Sequence, residues 1–226
     1  MVTAARPGGV SYLERVVATY TAQNAHRMDG VGLLIMDVDG GTRGEAQRGR
    51  PEGNGLTGRQ LAECTGPDVE GLPSCQVRQR TLDITAALSQ CQEVTSGWVV
   101  LVEDDCEPCP GALDESLTAL AGLDPAATSM AKLSRNMCAT AFPVPRVSAY
   151  VQATRRRIHT HPHDIILAEE WAPAPARVYA HPRNLFHHIG DISTEQSKND
   201  PAWQAMYRDL RADTCFEINP ASLVAT

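Results

Sequence analysis

Residues 98–110 read WVVLVEDDCEPCP. The run from Trp98 to Val102 is apolar without alternation, the pattern of a strand covered on both faces. It ends abruptly in three consecutive carboxylates, Glu103, Asp104 and Asp105, which repel one another at such spacing. Cys106 and Cys109 follow with the spacing of a redox or metal-binding pair. A nucleophilic cysteine needs a lowered pKa, from a helix N-terminus or nearby cations. Glu103, Asp104, Asp105 and Glu107 would push a thiol the other way. No second Cys-x-x-Cys completes a zinc site, so a disulfide or two ordinary cysteines is the simpler reading of the pair. A bound divalent cation removes the repulsion among the acids. Magnesium and manganese take carboxylate oxygens, with substrate phosphates often completing the shell. The stretch is therefore read as a metal centre at the end of a buried strand.

Outward from it, the chain alternates. Residues 2–5 read as a short strand, broken by Pro7-Gly8-Gly9. Ser11 and Glu14 have capping-box spacing for a helix running to about Asn24. Val31 to Met36 is a second buried-strand run, ending in Asp37, Asp39 and two glycines. Residues 40–75 lack periodicity and read as a long surface loop. A helix is expected over 79–92, and Pro110 suits the first position of another, with Leu113, Leu117 and Leu120 at helical spacing. Strands alternating with helices predict an α/β fold, a mostly parallel central sheet with helices on both faces. In such sheets ligands bind beyond the carboxyl ends of strands, where both acidic clusters fall. After Ala121 the segments 131–142 and 146–157 read as strands or as a strand and a helix, and 202–210 as a helix. With no internal repeat, residues 1–226 are taken as a single domain.

At 226 residues the length suits one sizeable domain. A net charge of −7 argues against nucleic acid as partner. Arg155, Arg156 and Arg157 form the one compact basic run, read as a solvated face or a weak phosphate contact. No stretch approaches the roughly 18 apolar residues of a spanning helix, so no membrane segment is expected, and residues 1–17 have no apolar h-region of a signal peptide. Seven cysteines, an odd number, leave at least one unpaired.

Among the histidines, His159, His161 and His163 alternate in HTHPH. Pro162 disturbs regular structure there, and an exposed loop is preferred over a zinc cluster. His187 and His188 lie among Leu185, Phe186 and Ile189. On a strand, adjacent residues face opposite sides, so one is expected in the core and the other at the site.

The order of these pieces resembles the N-acetylglucosaminyltransferase IV family, which adds a β1,4-linked N-acetylglucosamine to the α1,3-mannose arm of N-glycans. VTAARPGGVSYLERVV is similar to that family's opening strand and helix start. RQRTLDITAAL is similar to its Lys-Gln-Asn-Leu-Asp-Tyr stretch, with Leu82 and Asp83 matching. VVLVEDD corresponds to its Glu-Asp-Asp motif, HPHDIILAEEW to Lys-Pro-Ile-Asp-Trp-Leu-Leu, and PRNLFHHIGDIST to Pro-Ser-Leu-Phe-Gln-His-Val-Gly. Five short matches in order are more specific than any single one.

The resemblance implies a GT-A fold, with residues 1–121 as a nucleotide-sugar-binding half and 122–226 as an acceptor half. It implies a UDP-sugar donor, manganese or magnesium, a glycan acceptor on a glycoprotein or glycolipid, inversion at the anomeric carbon and a Golgi lumenal setting. On matching positions, Asp105 is the metal ligand and His188 approaches the metal or diphosphate. Glu103 and Asp104 order metal waters or the ribose, Asp164 is the general base, and Arg6, Asp37, Asp39 and Asp83 contact the donor. The chain is about half as long as well-known members, without their anchor or C-terminal module. A related group transferring N-acetylgalactosamine to the glycosylphosphatidylinositol core shares the Glu-Asp-Asp plan. A metal-free binding or scaffold relative is the alternative of another class, and a thioredoxin-like oxidoreductase a further one.

Overall fold

The structure, a computed structural model, describes residues 2–3, 12–24, 36–37, 56–57, 72–134, 138–171, 177–190, 201 and 215–216. In chain order the elements are β1 (Val2–Thr3), α1 (Leu13–Asn24), β2 (Met36–Asp37), β3 (Leu56–Thr57), α2 (Cys75–Val94), β4 (Trp98–Val102) and β5 (Cys106–Pro108). There follow α3 (Ala112–Ala121), β6 (Thr128–Lys132), β7 (Ala139–Pro143), α4 (Val144–Arg157), α5 (His163–Trp171), β8 (Arg177–Ala180) and β9 (Phe186–His188).

The chain is α/β, and its largest described sheet is mixed. Its order is β4-β7-β6-β8, antiparallel from β4 to β7 and from β7 to β6, and parallel from β6 to β8. The expectation of a mostly parallel sheet needs that correction. The cause is local: β6 and β7 follow one another closely, Ala131 opposite Ala141 and Lys132 opposite Thr140. A connection that short joins antiparallel neighbours, whereas a parallel pair needs a crossover of a dozen or more residues. Parallel pairing does hold in the small sheet β1-β2-β3, where Val2, Met36 and Leu56 lie in register. β3 also places a strand inside the stretch read as loop. β4 comes from the first half of the chain and its sheet partners from the second, so one sheet draws on both.

The apolar run of β4 is explained by two cores. Val99 and Leu101, with Met130 and Phe142 of neighbouring strands, pack against Ile84 and Leu88 of α2, Val147 and Tyr150 of α4, and Ile166 and Leu167 of α5. Val102, with Trp98 and Val100 at its edge, joins Ala131, Ala139 and Ala141 against Leu13 and Val16 of α1 and Ala112 and Leu120 of α3. Successive residues of a strand face opposite sides, so α2, α4 and α5 cover one face and α1 and α3 the other. Both faces are covered, fully at Val99, Leu101 and Val102 and partly at Trp98 and Val100.

Helix ends follow local chemistry. Ser74 caps α2, its hydroxyl accepting from the Val77 amide at 3.3 Å, which starts the helix four residues before its expected position. Pro110 and Gly111 form a turn instead of opening α3. Gly111 has φ of 76°, a left-handed conformation natural to glycine, and the helix begins at Ala112. The HTHPH segment is a turn running into α5, with His161 Nδ1 2.8 Å from Thr160 Oγ1, as the loop reading held. Arg155 and Arg156 are exposed on α4, while Arg157 pairs with Glu169 of α5. Ser11 and the expected helix over 202–210 lie outside the described residues. No helix among the described residues is long and apolar enough to cross a membrane.

β5 pairs antiparallel with β9, placing Cys106 opposite His188, Glu107 opposite His187 and Pro108 opposite Phe186. A two-stranded ribbon this short is not stable alone. α1 braces it: Arg15 donates to both Glu107 oxygens, Nε at 3.2 Å and NH2 at 2.7 Å, and Thr19 adds a third hydrogen bond at 2.7 Å. These donors, chiefly Arg15, hold the Glu107 carboxyl below its ordinary value of 4.5. A carboxylate depressed in the folded state contributes stability that is fully present above its unfolded pKa and lost as pH falls through the folded one. Glu107→Gln is therefore expected to lower Tm at neutral pH, with the gap to wild type closing as the pH falls below 4.5. Thermal melts across the acid limb test this, and a constant gap would show that the ion pair contributes nothing.

Candidate metal centre

β4 delivers the acidic triplet into a tight turn. The Glu103 amide donates to the Cys138 carbonyl at 3.2 Å and the Cys106 amide to the Glu103 carbonyl at 3.2 Å. The turn is then fixed from the other side, the Ile189 amide donating to the Asp105 carbonyl at 2.8 Å. Through that bond and the ribbon register, His188 arrives beside Asp105, its Nε2 3.4 Å from Oδ2. Asp104 and Asp105 are buried, at 5% and 8% exposure, and Glu103 is half-buried. Glu103 Oε1 pairs with Arg80 of α2, which leaves its second oxygen for another partner. One ligand atom each from Glu103, Asp105, Cys106 and His188 lie within 4.8 Å of one another.

Cys106 does not belong to that set in the disulfide-bonded chain, because its sulfur is bridged to Cys138. A disulfide sulfur has no thiolate charge, and the thiolate is the metal ligand. The working donors are two carboxylates and an imidazole, a hard-to-borderline set suited to manganese, magnesium or zinc. A Cβ built on Gly190 would lie 2.1 Å from Asp105 Oδ2 and 2.7 Å from its Cγ. The bare glycine thus makes the space into which the Asp105 carboxylate folds.

The second cysteine is bridged too, Cys109 to Cys215. Cys106 and Cys109 are fully buried and are not each other's partners. Each sulfur is in a disulfide, but with a distant mate, so the reading of the two cysteines as one pair is corrected. An exchanging Cys-x-x-Cys dithiol finds no support in this arrangement. Cys75 is also disulfide-bonded. Cys91 keeps a free thiol, its pKa pushed up chiefly by burial.

The remaining expected site residues divide. Asp83 is buried within α2 at 3% exposure and accepts from Gln79 Nε2 at 3.0 Å, one turn away. Asp37 ends β2, paired in register with Thr3 and Thr57, and its side chain lies outside the described residues, as do Arg6 and Asp39. Asp164 stands in the first turn of α5, with its side chain likewise outside the described residues. His187, opposite Glu107, is half-buried and lowers that carboxyl's pKa electrostatically, so it is no core histidine.

Sequence reasoning missed Arg80, Cys138 and Gly190. Arg80 had no signal, being one of the two arginines in RQR. Gly190, two residues beyond the paired histidines and the end of β9, had one: a glycine beside a strand can mark a close approach by another group. No protein-family model matches the chain, and no curated protein matches it.

Gly190→Ala forces the new methyl into the Asp105 carboxylate. It is expected to destabilise the fold by about 1–3 kcal/mol, the usual cost of overpacking, and to weaken manganese binding. Gly122→Ala meets nothing nearer than 3.5 Å and is expected to change stability by no more than about 0.5 kcal/mol. Urea denaturation and manganese titration of the two variants decide the point.

Proposed function

We propose that this chain is a metal-dependent inverting glycosyltransferase that moves N-acetylglucosamine, or a related hexosamine, from a UDP-sugar to a glycan acceptor. The observation that carries the reading is the convergence of Glu103, Asp105 and His188 at the carboxyl end of β4, beneath Gly190. The ordered resemblance to the N-acetylglucosaminyltransferase IV family adds the chemistry. In the GT-A plan that it implies, a nucleotide sugar lies across the carboxyl ends of the strands.

Asp105 and His188 would hold manganese or magnesium, with the free oxygen of Glu103 toward its waters. A bound ion of that kind supplies Lewis-acid stabilisation of a departing diphosphate. Arg80, paired with Glu103, holds that carboxylate in place and adds positive charge beside the leaving group. Inversion takes a single displacement: the acceptor oxygen bonds to the anomeric carbon as the bond to the diphosphate oxygen breaks. A carboxylate on the acceptor side must take the hydroxyl proton, and Asp164 is assigned that role.

The disulfides support an oxidising compartment, in keeping with a lumenal Golgi setting. The net charge of −7 favours a small anionic donor held by a local cation over any nucleic-acid partner.

Calorimetry of UDP binding with and without manganese, beside UDP-sugar hydrolysis, tests the assignment. Manganese should tighten UDP binding in wild type, and Asp105→Asn should remove both that tightening and turnover. Asp164→Asn should keep UDP binding and lose turnover by about 10²–10⁴-fold, the scale of a lost general base. Activity retained in Asp105→Asn would refute the metal assignment, and binding lost with turnover in Asp164→Asn would make Asp164 structural. UDP that binds no tighter with metal leaves the binding-module reading standing.

A further inference from the structure

We infer that the same pocket holds a second, softer metal site that exists only when the Cys106–Cys138 bridge is opened: a cysteine–histidine–carboxylate site for an ion of the zinc class. The inference rests on the pocket reading above and adds a ligand to it. With the disulfide closed, the donors are oxygen and imidazole nitrogen. With it open, the Cys106 thiolate joins Glu103, Asp105 and His188, whose ligand atoms already lie within 4.8 Å of one another.

The separations suit such an ion. Zinc takes sulfur at about 2.3 Å and nitrogen or oxygen at about 2.0–2.2 Å in a tetrahedron. Simple geometry then puts neighbouring ligand atoms about 3.4–3.8 Å apart. His188 Nε2 lies 3.4 Å from Asp105 Oδ2 and Cys106 Sγ 3.8 Å from the other oxygen, Oδ1, so the carboxylate turns to offer a single oxygen to both neighbours. Glu103, paired through Oε1 with Arg80, is the fourth member of the set that lies within 4.8 Å.

The pocket does not depend on the bridge for its backbone. Val102 stays opposite Ala139, and the Glu103 amide on the Cys138 carbonyl at 3.2 Å. His188 stays opposite Cys106, and the Ile189 amide on the Asp105 carbonyl at 2.8 Å. Opening the bridge therefore releases one sulfur into a framework tied by other bonds.

The chemistry balances with a dithiol reductant. Its thiolate attacks one sulfur of the bridge, and a second thiolate resolves the mixed disulfide, leaving an oxidised dithiol and two protein thiols. On metal binding the Cys106 thiol gives its proton to solvent and its electron pair to the ion.

Cobalt(II) is the probe, because cobalt–thiolate coordination gives a charge-transfer absorption that oxygen and nitrogen ligands lack. Cys138→Ser and Cys106→Ser remove the same bridge, but only the first leaves the Cys106 thiol. The band is expected in Cys138→Ser and absent from both Cys106→Ser and disulfide-intact wild type, with zinc displacing the cobalt and erasing it. A band in neither variant, or in both, overturns the inference. Should Cys138→Ser fail to fold, dithiol-treated wild type is compared with dithiol-treated Cys106→Ser, and the band must appear only in the former. Manganese binding by disulfide-intact wild type is measured alongside. Its absence beside a cobalt–thiolate band counts against the transferase reading and leaves this site standing.

Discussion

Asp104 and Asp105 are carboxylates taken out of water at the end of a strand whose faces are both covered by helices. Removing an ionised group from water costs several kcal/mol unless partners replace the lost solvation. The surrounding structure reads as the set of partners that the burial demands. Arg80 reaches from α2 to Glu103, His188 is carried in on β9, and the Ile189 amide takes the Asp105 carbonyl. Gly190 leaves the carboxylate room, and a cation would complete the compensation. Arg80, the 103–105 turn and the 188–190 segment are far apart in sequence; the sheet and the ribbon bring these three pieces together.

The ribbon is the vulnerable part of that arrangement. Three residues a side cannot hold two strands together, so β5 and β9 depend on what flanks them. Arg15 and Thr19 fasten Glu107 to α1, and the two disulfides close loops of 32 and 106 residues. In the chain-entropy picture such closures limit the unfolded ensemble by about 4 and about 5 kcal/mol, not additively since the loops overlap. Cys109–Cys215 also brings in the Cys215–Phe216 segment, where the Phe216 amide donates to Asn184 at 2.9 Å and the Arg183 guanidinium lies 5.1 Å from the ring centre. Arg183 in turn reaches Glu115 of α3 at 2.5 Å. The side of the site opposite α2 is thus tied covalently and ionically into one unit.

What the sequence disclosed and what it hid have physical causes. Trp98–Val102 was legible because a doubly covered strand must be apolar throughout, and the triplet because so much charge after such a strand needs an explanation. Strand alternation separated His187 from His188 but did not say which one faces the site; His188 was singled out by the family resemblance, and neither histidine is in the core. Strand direction was not: β6 and β7 are rich in alanine, serine and threonine, which pack in either sense, and only the short connection between them imposes antiparallel pairing. α5 hid behind HTHPH, although Pro162 immediately before it fits a helix start. Disulfide connectivity is not deducible from spacing when several pairings are possible, so Cys106-x-x-Cys109 invited a pairing that the fold does not use. Asp83 matched a family stretch in sequence and is buried in α2, where it accepts from Gln79.

The bridge between Cys106 and Cys138 bears on the metal question as much as on stability. A free thiolate packed against Asp105 would add a third negative charge to a pocket already holding two, and would draw soft ions into it. Bound to Cys138, the same sulfur is neutral and apolar and fills core volume beside Ala139 and Leu185. An oxidising compartment that closes the bridge therefore also selects the donors: two carboxylates and a histidine, with the sulfur withheld. Hard cations such as manganese and magnesium are the ions that such oxygen-rich donors suit. The disulfide and the acidic turn are in this sense one device, since the covalent bond at Cys106 determines what chemistry Asp105, the residue before it, can perform.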